Sequence, residues 1–111
     1  MINSKSDYQQ QGDVLIFDID EIPANVKEVM PENGQHVLAK GEATGHAHVI
    51  NDIQNAKVYC DENGNLYVKA LETVNLTHEE HGTQVIEKGN KKIGKVREID
   101  PFSEAIKQVR D

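Results

Sequence analysis

The sequence predicts an all-β domain, a small antiparallel β-barrel or sandwich that ends in one short α-helix. Apolar and polar residues alternate along several short runs, which is typical of strands with one buried face. Residues that favour turns separate these runs, and a helical period occurs only near the carboxyl end. A chain of 111 residues is enough for one domain with a modest core.

The domain organisation follows from composition along the chain. Residues 1–11 are polar and rich in Gln, so we expect an N-terminal tail that is disordered unless a neighbouring subunit or a partner holds it. Residues 12–111 then form a single domain without an internal repeat. Its first predicted strand covers residues 14–19 and ends before Pro23.

The segment KVYCDENGNLYVK, residues 57–69, predicts a β-hairpin with a defined register. A two-residue loop would place a lysine among apolar residues, whereas a three-residue loop that ends at Gly64 separates the two faces cleanly. The second register suits a type I turn with Asp61 first and Gly64 in the left-handed position. It produces three cross-strand pairs: Cys60 with Leu66, Tyr59 with Tyr67, and Val58 with Val68. Cys60 is then a buried hydrophobe and not a nucleophile.

In the last third of the chain, the spacing of apolar residues changes from that of a strand to that of a helix. Residues 72–78 alternate as a strand, and a second hairpin is expected to turn at residues 88–90. Asp100 suits a helix N-cap, and Pro101 suits the first helical position. A short amphipathic helix is therefore predicted over residues 101–110, with one apolar face formed by Phe102, Ala105, Ile106 and Val109.

Charge and cysteine content narrow the function classes. The formal charge of −7 argues against non-specific nucleic-acid binding, which requires a basic surface. The single cysteine, Cys60, fits a reducing cytoplasm and leaves no internal disulfide or cysteine-based zinc ribbon. We expect no membrane span and no signal peptide, because no apolar run has the required length. Only 37% of the residues are apolar, so the hydrophobic core is small. We therefore expect a metal, a protein partner or self-association to contribute to the stability of the fold.

Four of the five histidines lie in two short runs, GHAH at residues 45–48 and THEEH at residues 77–81. On a strand, His46 and His48 point to the same side because the side-chain period is two residues. His78 and His81 are three residues apart, so they converge only if the chain turns after His78. Such a turn would allow all four imidazoles to meet.

The histidine pattern supports three interpretations. In the first, His46, His48, His78 and His81 bind a divalent metal, with zinc as the first choice and iron, manganese or nickel as alternatives. Glu79 or Glu80 then adds a carboxylate ligand or, in an enzyme, acts as the acid–base group. In the second, the histidines are packed or surface residues. In the third, a His–Glu pair performs metal-free acid–base chemistry on a substrate. The remaining histidine, His36, is expected at the surface.

Four stretches of the sequence carry a resemblance: QGDVLI, GEATGHAH, LTHEEH and REIDPF. Together they resemble a group of small, uncharacterised proteins of phages and bacteria. The resemblance covers most of the chain and implies a phage or bacterial setting, in the host cytoplasm or in a virion. It implies no chemistry.

The HxH strand within a predicted barrel is also similar to cupins. The cupin pattern continues with a Glu and, after a Pro-x-Gly turn, a last His. Here His46 and His48 match the first part, Asp52 stands near the position of the Glu, and Lys92 occupies the position of the last His. The resemblance to cupins therefore implies only two of the metal ligands, His46 and His48.

These observations favour a small His-rich β-barrel protein that binds a divalent metal and is a non-enzymatic structural or interaction protein of a phage or bacterium. Self-association or a protein partner is expected. The alternative is a metal-dependent enzyme of cupin-like type that acts on a small-molecule substrate.

Overall fold

The computed structural model describes residues 8–40 and 46–95. These residues form ten strands and one 3₁₀ turn, Ile53–Asn55. In chain order the strands are β1, Tyr8–Gln11; β2, Val14–Ile19; β3, Val26–Val29; β4, His36–Lys40; β5, Ala47–Ile50; β6, Ala56–Asp61; β7, Leu66–Ala70; β8, Val74–Thr77; β9, Gln84–Ile86; and β10, Gly89–Lys95.

The strands form two antiparallel sheets, which confirms the predicted all-β class. The larger sheet has the order β1-β2-β10-β7-β6-β3, and the smaller one has the order β4-β5-β8-β9. Every strand pair is antiparallel. Within the described ranges the backbone pairing does not close into a barrel. Instead, the edge strands β1 and β9 are joined through side chains, since the Gln9 amide Nε2 donates to the Val85 carbonyl at 2.7 Å.

One hydrophobic core lies between the inner faces of the two sheets. Both sheets contribute to it, because alternate residues of each strand point inward. Ile50, Leu76 and Ile86 are fully buried in the smaller sheet, and burying a side chain of this size stabilises the fold by about 1.5–3 kcal/mol. The buried cluster comprises Val14, Ile16, Leu38, Ala39, Ile50, Ala56, Val58, Val68, Ala70, Val74, Leu76, Ile86 and Ile93.

The β6–β7 hairpin has the predicted register. Cys60 pairs with Leu66, Tyr59 with Tyr67, and Val58 with Val68. The Gly64 amide donates to the Asp61 carbonyl at 3.1 Å, and Gly64 has a φ of +86°. The expected burial of Cys60 was wrong, since this residue is only half-buried. Tyr67, on the other face of the hairpin, is buried, and its hydroxyl donates to the Asp61 carboxylate at 3.2 Å.

The chain does not form the second hairpin predicted at residues 88–90. β9 belongs to the smaller sheet, whereas β10 begins at Gly89 and pairs with β2 and β7 in the larger one. Gly89 has a φ of +138°, a conformation that favours glycine and lets the chain cross between the sheets here.

Three further predictions concern the ends of the chain and His36. Within the predicted tail, Tyr8–Gln11 form β1 and pair with β2, so the expected disorder was wrong for these four residues. The predicted helix at residues 101–110 lies outside the described residues. His36 is buried and not at the surface, because it shares the inward face of β4 with Leu38 and its Nε2–H donates to the Ala56 carbonyl at 3.1 Å. Among the described residues, no helix is long and apolar enough to span a membrane.

Candidate functional site: a histidine cluster beside the first turn

His48 is the most buried member of the cluster. It lies on β5 on the same side as Ile50, and it is 5% exposed. Its Nδ1 lies 2.8 Å from Oε1 of Gln11, a β1 residue that is 2% exposed. The contact joins two segments 37 residues apart in the sequence.

Gln11 determines which nitrogen of His48 carries the proton. The Gln11 amide Nε2 donates to two backbone carbonyls, those of Leu76 at 2.8 Å and Gly82 at 2.9 Å. This orientation leaves Oε1 as an acceptor, so the Nδ1–H of His48 must be the donor. In the neutral ring the lone pair is therefore on Nε2, and Nε2 lies 3.8 Å from Asp13 Oδ1.

The rings of His78 and His81 pack beside His48. The ring centroid of His78 is 4.3 Å from that of His48 and 4.6 Å from that of His81. The centroids of His48 and His81 are 6.1 Å apart. The chain turns just after β8, and this turn brings His78 and His81 to one side although they are three residues apart. Three imidazoles from two distant segments therefore share one site.

A backbone hydrogen bond sets the proton position on His78 as well. The Glu80 amide N–H donates to Nδ1 of His78 at 3.0 Å. Nδ1 therefore carries no proton, and in the neutral ring the proton is on Nε2. This tautomer is the opposite of that of His48.

His46 is at the rim of the cluster and makes a different set of contacts. Its ring centroid is 5.8 Å from that of His78, with the planes nearly perpendicular. Its Nε2 is 3.4 Å from Glu79 Oε1, and its Nδ1 is 3.4 Å from Glu80 Oε2. Both ring nitrogens of His46 thus lie near carboxylates of the turn after β8.

Gly12 and Asp13 form the turn between β1 and β2, which we call the first turn, and Gly12 allows this turn to approach His81 closely. Its φ is +60°, in the left-handed region that favours glycine. A Cβ built on Gly12 would lie 2.7 Å from Nε2 of His81 and 3.3 Å from Cε1 of His48. Any other residue here would displace the His81 ring or be displaced by it.

The surroundings of His48 keep its ring neutral. Burial disfavours the charged form and lowers the pKa of His48 from 6.5 to about 4, and the nearby rings of His78 and His81 act in the same direction. The carboxylate of Asp13 opposes the shift. A neutral imidazole with a lone pair on Nε2 is the form that binds a metal.

The structure also shows what the cluster does not include. As the side chains stand, no group of three or more His, Cys, Asp or Glu side chains in residues 8–40 and 46–95 is arranged to hold a metal ion. The two remaining cupin-like positions lie elsewhere: Asp52 accepts from the Asn75 amide at 3.4 Å, and Lys92 is on β10 in the larger sheet. The cupin pattern therefore extends no further than His46 and His48.

An open groove of about 390 Å³ borders the cluster on the outer side of the smaller sheet. Its lining includes His78 and Glu79 together with Ala47, Val49 and Thr77. His78 is thus reachable from outside the sandwich, whereas His48 is covered.

Sequence reasoning missed three residues of this site, Gln11, Gly12 and Asp13. Residue 11 lies in the predicted tail, and the next two residues only precede the first predicted strand. Their signal was nevertheless present, because the stretch QGDVLI is one of the four that carried the resemblance to phage and bacterial proteins. The structure brings this stretch against the two histidine runs.

A comparison with protein families gives a match over most of the chain. The family described as "Domain of unknown function (DUF8820)" matches residues 10–94. No curated protein and no solved structure matched the chain. The matched span contains the first turn, both histidine runs and all the residues of the site, and it covers well over half of the chain. The chain therefore belongs to the DUF8820 family.

Proposed function

We propose that the histidine cluster binds one divalent transition-metal ion, and that the ion has a structural role. His48, His78 and His81 are the proposed ligands, and His46 is a fourth candidate at the rim. The observation that carries the proposal is the spacing of the three inner rings, whose centroids are 4.3, 4.6 and 6.1 Å apart.

This spacing is close to that of imidazoles on a common ion. With Zn–N bonds of about 2.0–2.1 Å and tetrahedral angles, two ligand ring centroids are about 5 Å apart. The observed centroid distances lie on both sides of that value. The rings are therefore close enough to share one ion, and binding would require them to reorient, since the planes of His48 and His81 are now 9° apart. Imidazole nitrogen is a ligand for zinc, iron, nickel and copper, and zinc remains the first choice.

Binding through Nε2 of His78 also requires a change of tautomer in that ring. Its Nδ1 now accepts the Glu80 amide N–H, so its Nε2 carries the proton. To bind through Nε2, the ring must move that proton to Nδ1 and release the Glu80 amide. His48 needs no such change, because Gln11 already holds it with Nε2 available.

An ion bound by these histidines would join two segments, β5 and the turn after β8. Beside them, the edge strands β1 and β9 of the two sheets are joined in the described residues by side-chain hydrogen bonds. A ligand that binds only the folded state raises its stability by mass action. A structural ion therefore suits a domain with a lean core, and we propose a non-enzymatic structural or interaction protein.

The second candidate is a metal-dependent enzyme that acts on a small molecule. The groove of about 390 Å³ favours it, because the groove reaches His78 and Glu79 and could admit a substrate to an open metal position. Glu79 or Glu80 would then be the acid–base group. The phage or bacterial origin, the cytoplasmic location, the cupin-like relation and self-association or a protein partner remain predictions from the sequence.

Zinc-dependent stabilisation is the direct test. The protein should be purified without a metal-affinity tag, analysed for bound elements, stripped with a chelator and melted with and without Zn²⁺. At a free concentration one hundred times Kd, we expect stabilisation of about 2.7 kcal/mol. Mg²⁺, which prefers oxygen ligands, should have little effect. Equal melting temperatures of the metal-free and zinc-loaded protein would contradict the proposal.

His81→Ala is the cleanest variant for this test, since His81 is exposed and should contribute little to the metal-free fold. We expect it to reduce the zinc-dependent shift. Thr83→Ala, an exposed change in the same turn, is the matched control and should keep the full shift. His48→Ala is less informative, because it would also leave the buried Oε1 of Gln11 without its donor.

A further inference from the structure

We infer that the first turn of the chain completes the metal site: Asp13 supplies a carboxylate ligand to the same ion as His48, and Gln11 is the positioning residue that aims His48 at it. The inference rests on the proposed metal binding. It assigns the carboxylate to a residue that is 65 positions away from the histidine run at residues 78–81.

The position of Asp13 carries the first half of the inference. In the tautomer set by Gln11, Nε2 of His48 presents a lone pair, and Oδ1 of Asp13 lies 3.8 Å from it. Two electron-rich atoms that face each other at this distance are well placed for a shared cation. With bonds of about 2.0–2.2 Å to a tetrahedral ion, ligand N and O atoms are about 3.3 Å apart, so a shift of about half an ångström is enough.

The two glutamates of the THEEH run are less suitable. Glu79 and Glu80 each face a nitrogen of His46 at 3.4 Å, whereas Asp13, whose side chain is 48% exposed, faces His48. His46 is at the rim, beyond His78, whereas Asp13 faces the innermost ring. The carboxylate that reaches the buried end of the cluster is therefore the one from the first turn.

The contacts of Gln11 carry the second half. Its side chain is 2% exposed, and its amide uses both hydrogens on backbone carbonyls, so it cannot rotate without leaving buried groups unsatisfied. It therefore imposes one tautomer on His48. Residues that orient a metal-binding imidazole through its second nitrogen act in this way, and their loss typically weakens metal affinity about 10–100-fold.

The resulting donor set is up to three imidazoles and one carboxylate. Nitrogen and carboxylate oxygen ligands suit zinc and also Fe²⁺ or Mn²⁺, whereas soft ions such as Cu⁺ prefer sulfur. The inference therefore names the class of ion as a borderline or hard divalent cation.

Calorimetric titration with Zn²⁺ tests the assignment of Asp13. Asp13→Asn keeps the side-chain shape and removes the charge, and we expect its Kd to rise about tenfold or more. The matched comparison is Glu79→Gln with Glu80→Gln, which removes two nearby charges and should change Kd less than about threefold. The inference is overturned if Asp13→Asn binds as the wild type does or if the glutamate variant carries the loss.

Gln11→Leu tests the positioning role against Gln9→Leu. Both glutamines join β1 to the β8–β9 region through side-chain hydrogen bonds, and only Gln11 contacts His48. Both variants should lose stability, but only Gln11→Leu should weaken zinc binding. The ¹⁵N shifts of the His48 ring in metal-free protein give a readout that does not depend on folding energy. They should show Nδ1–H in the wild type and in Gln9→Leu, and a mixture of tautomers in Gln11→Leu.

The outcomes separate this inference from the proposed function. If the wild type does not bind zinc, the proposed function fails and the role of Asp13 fails with it. If the wild type binds zinc and Asp13→Asn binds equally well, only the inference fails. Should Gln11→Leu be unfolded, the wild-type ring shifts still decide the tautomer, and Nε2–H on His48 would overturn the role of Gln11.

Discussion

Nδ1 of His48 and Oε1 of Gln11 are 2.8 Å apart across the interface of the two sheets, and both side chains are almost fully buried. This contact joins β1 to β5, the strand that carries His48. It places a neutral, oriented imidazole at the centre of the histidine cluster. This contact and the packing around it lead us to expect measurable effects of pH and of single substitutions on stability.

The first prediction concerns the response of the metal-free protein to acid. Burial lowers the pKa of His48 from 6.5 to about 4. The unfolded chain therefore takes up a proton at this residue near pH 6.5, and the folded chain does so only near pH 4. The unfolding free energy should fall as the pH decreases through this window, by about 3 kcal/mol, since each pKa unit corresponds to about 1.4 kcal/mol.

Urea unfolding at pH 7.5 and pH 4.5 in the presence of a chelator measures this effect. Other groups also titrate in this range, so His48→Gln, which cannot become charged, is the reference. Its loss of stability between the two pH values should be about 2.5 kcal/mol smaller than that of the wild type, because pH 4.5 is still above the pKa of about 4 in the folded state. An NMR titration that places His48 near pH 6.5 would contradict the prediction.

The second prediction concerns Gly12 and His81. Gly12→Ala and Gly64→Ala both place a Cβ on a left-handed backbone, which costs about 1–2 kcal/mol. Around Gly64 no atom lies within 4 Å of the added Cβ, whereas at Gly12 the His81 ring is 2.7 Å away. Gly12→Ala should therefore be the more destabilising of the two.

A double-mutant cycle identifies the cause of that difference. In a His81→Ala background the ring is absent, and most of the excess cost of Gly12→Ala should disappear. Denaturant midpoints of the single and double variants provide the measurement. An excess that is the same with and without His81 would show that the backbone alone explains it.

The third prediction concerns the β6–β7 turn. The Asp61 carboxylate accepts four hydrogen bonds, from the Asn63 amide, the Asn65 amide and side chain, and the Tyr67 hydroxyl. Asp61→Ala should lower the melting temperature, whereas Glu62→Ala, an exposed change in the same turn, should not. The melting curves of both variants, recorded side by side, test this contrast.

The same turn should weaken in acid. The hydrogen bonds from Asn65 are the main reason that the pKa of Asp61 is below its ordinary value of 3.8. The contribution of Asp61 to stability is therefore complete above pH 3.8 and is lost as the pH falls below it. The difference between wild type and Asp61→Ala should shrink under these conditions. A difference that persists at the lowest pH at which the protein stays folded would argue against it.

The fourth prediction concerns the core beneath the cluster. Leu76 is fully buried on β8, two residues before His78. Leu76→Ala should cost about 2–5 kcal/mol, because it removes buried apolar area and leaves a cavity. Val85→Ala, on the neighbouring strand at 47% exposure, should change stability by less than about 0.5 kcal/mol. Similar costs for both variants would show that β8 is not part of the tightly packed core.

Several features were determined by the sequence alone because they depend on near neighbours. The β6–β7 register follows from a period of two and from the turn chemistry of Asp61 and Gly64, which are all within one short segment. The inward direction of His48 beside Ile50 follows from the same period. In each case the competing conformations differ in energy because of turn geometry and of which side chains share a face, and both depend on the residue types within one short segment.

The contacts between segments that are far apart in the sequence were decided only by the tertiary structure. The interaction of Gln11 with His48, the fit of Gly12 against His81 and the burial of His36 all depend on strand order and on the packing of one sheet over the other. The crossing of the chain at Gly89 depends on them too, because a turn signal does not show whether the next strand pairs with the last or joins another sheet. Such pairings are stabilised by contacts between residues tens of positions apart, and a local pattern contains no information about them.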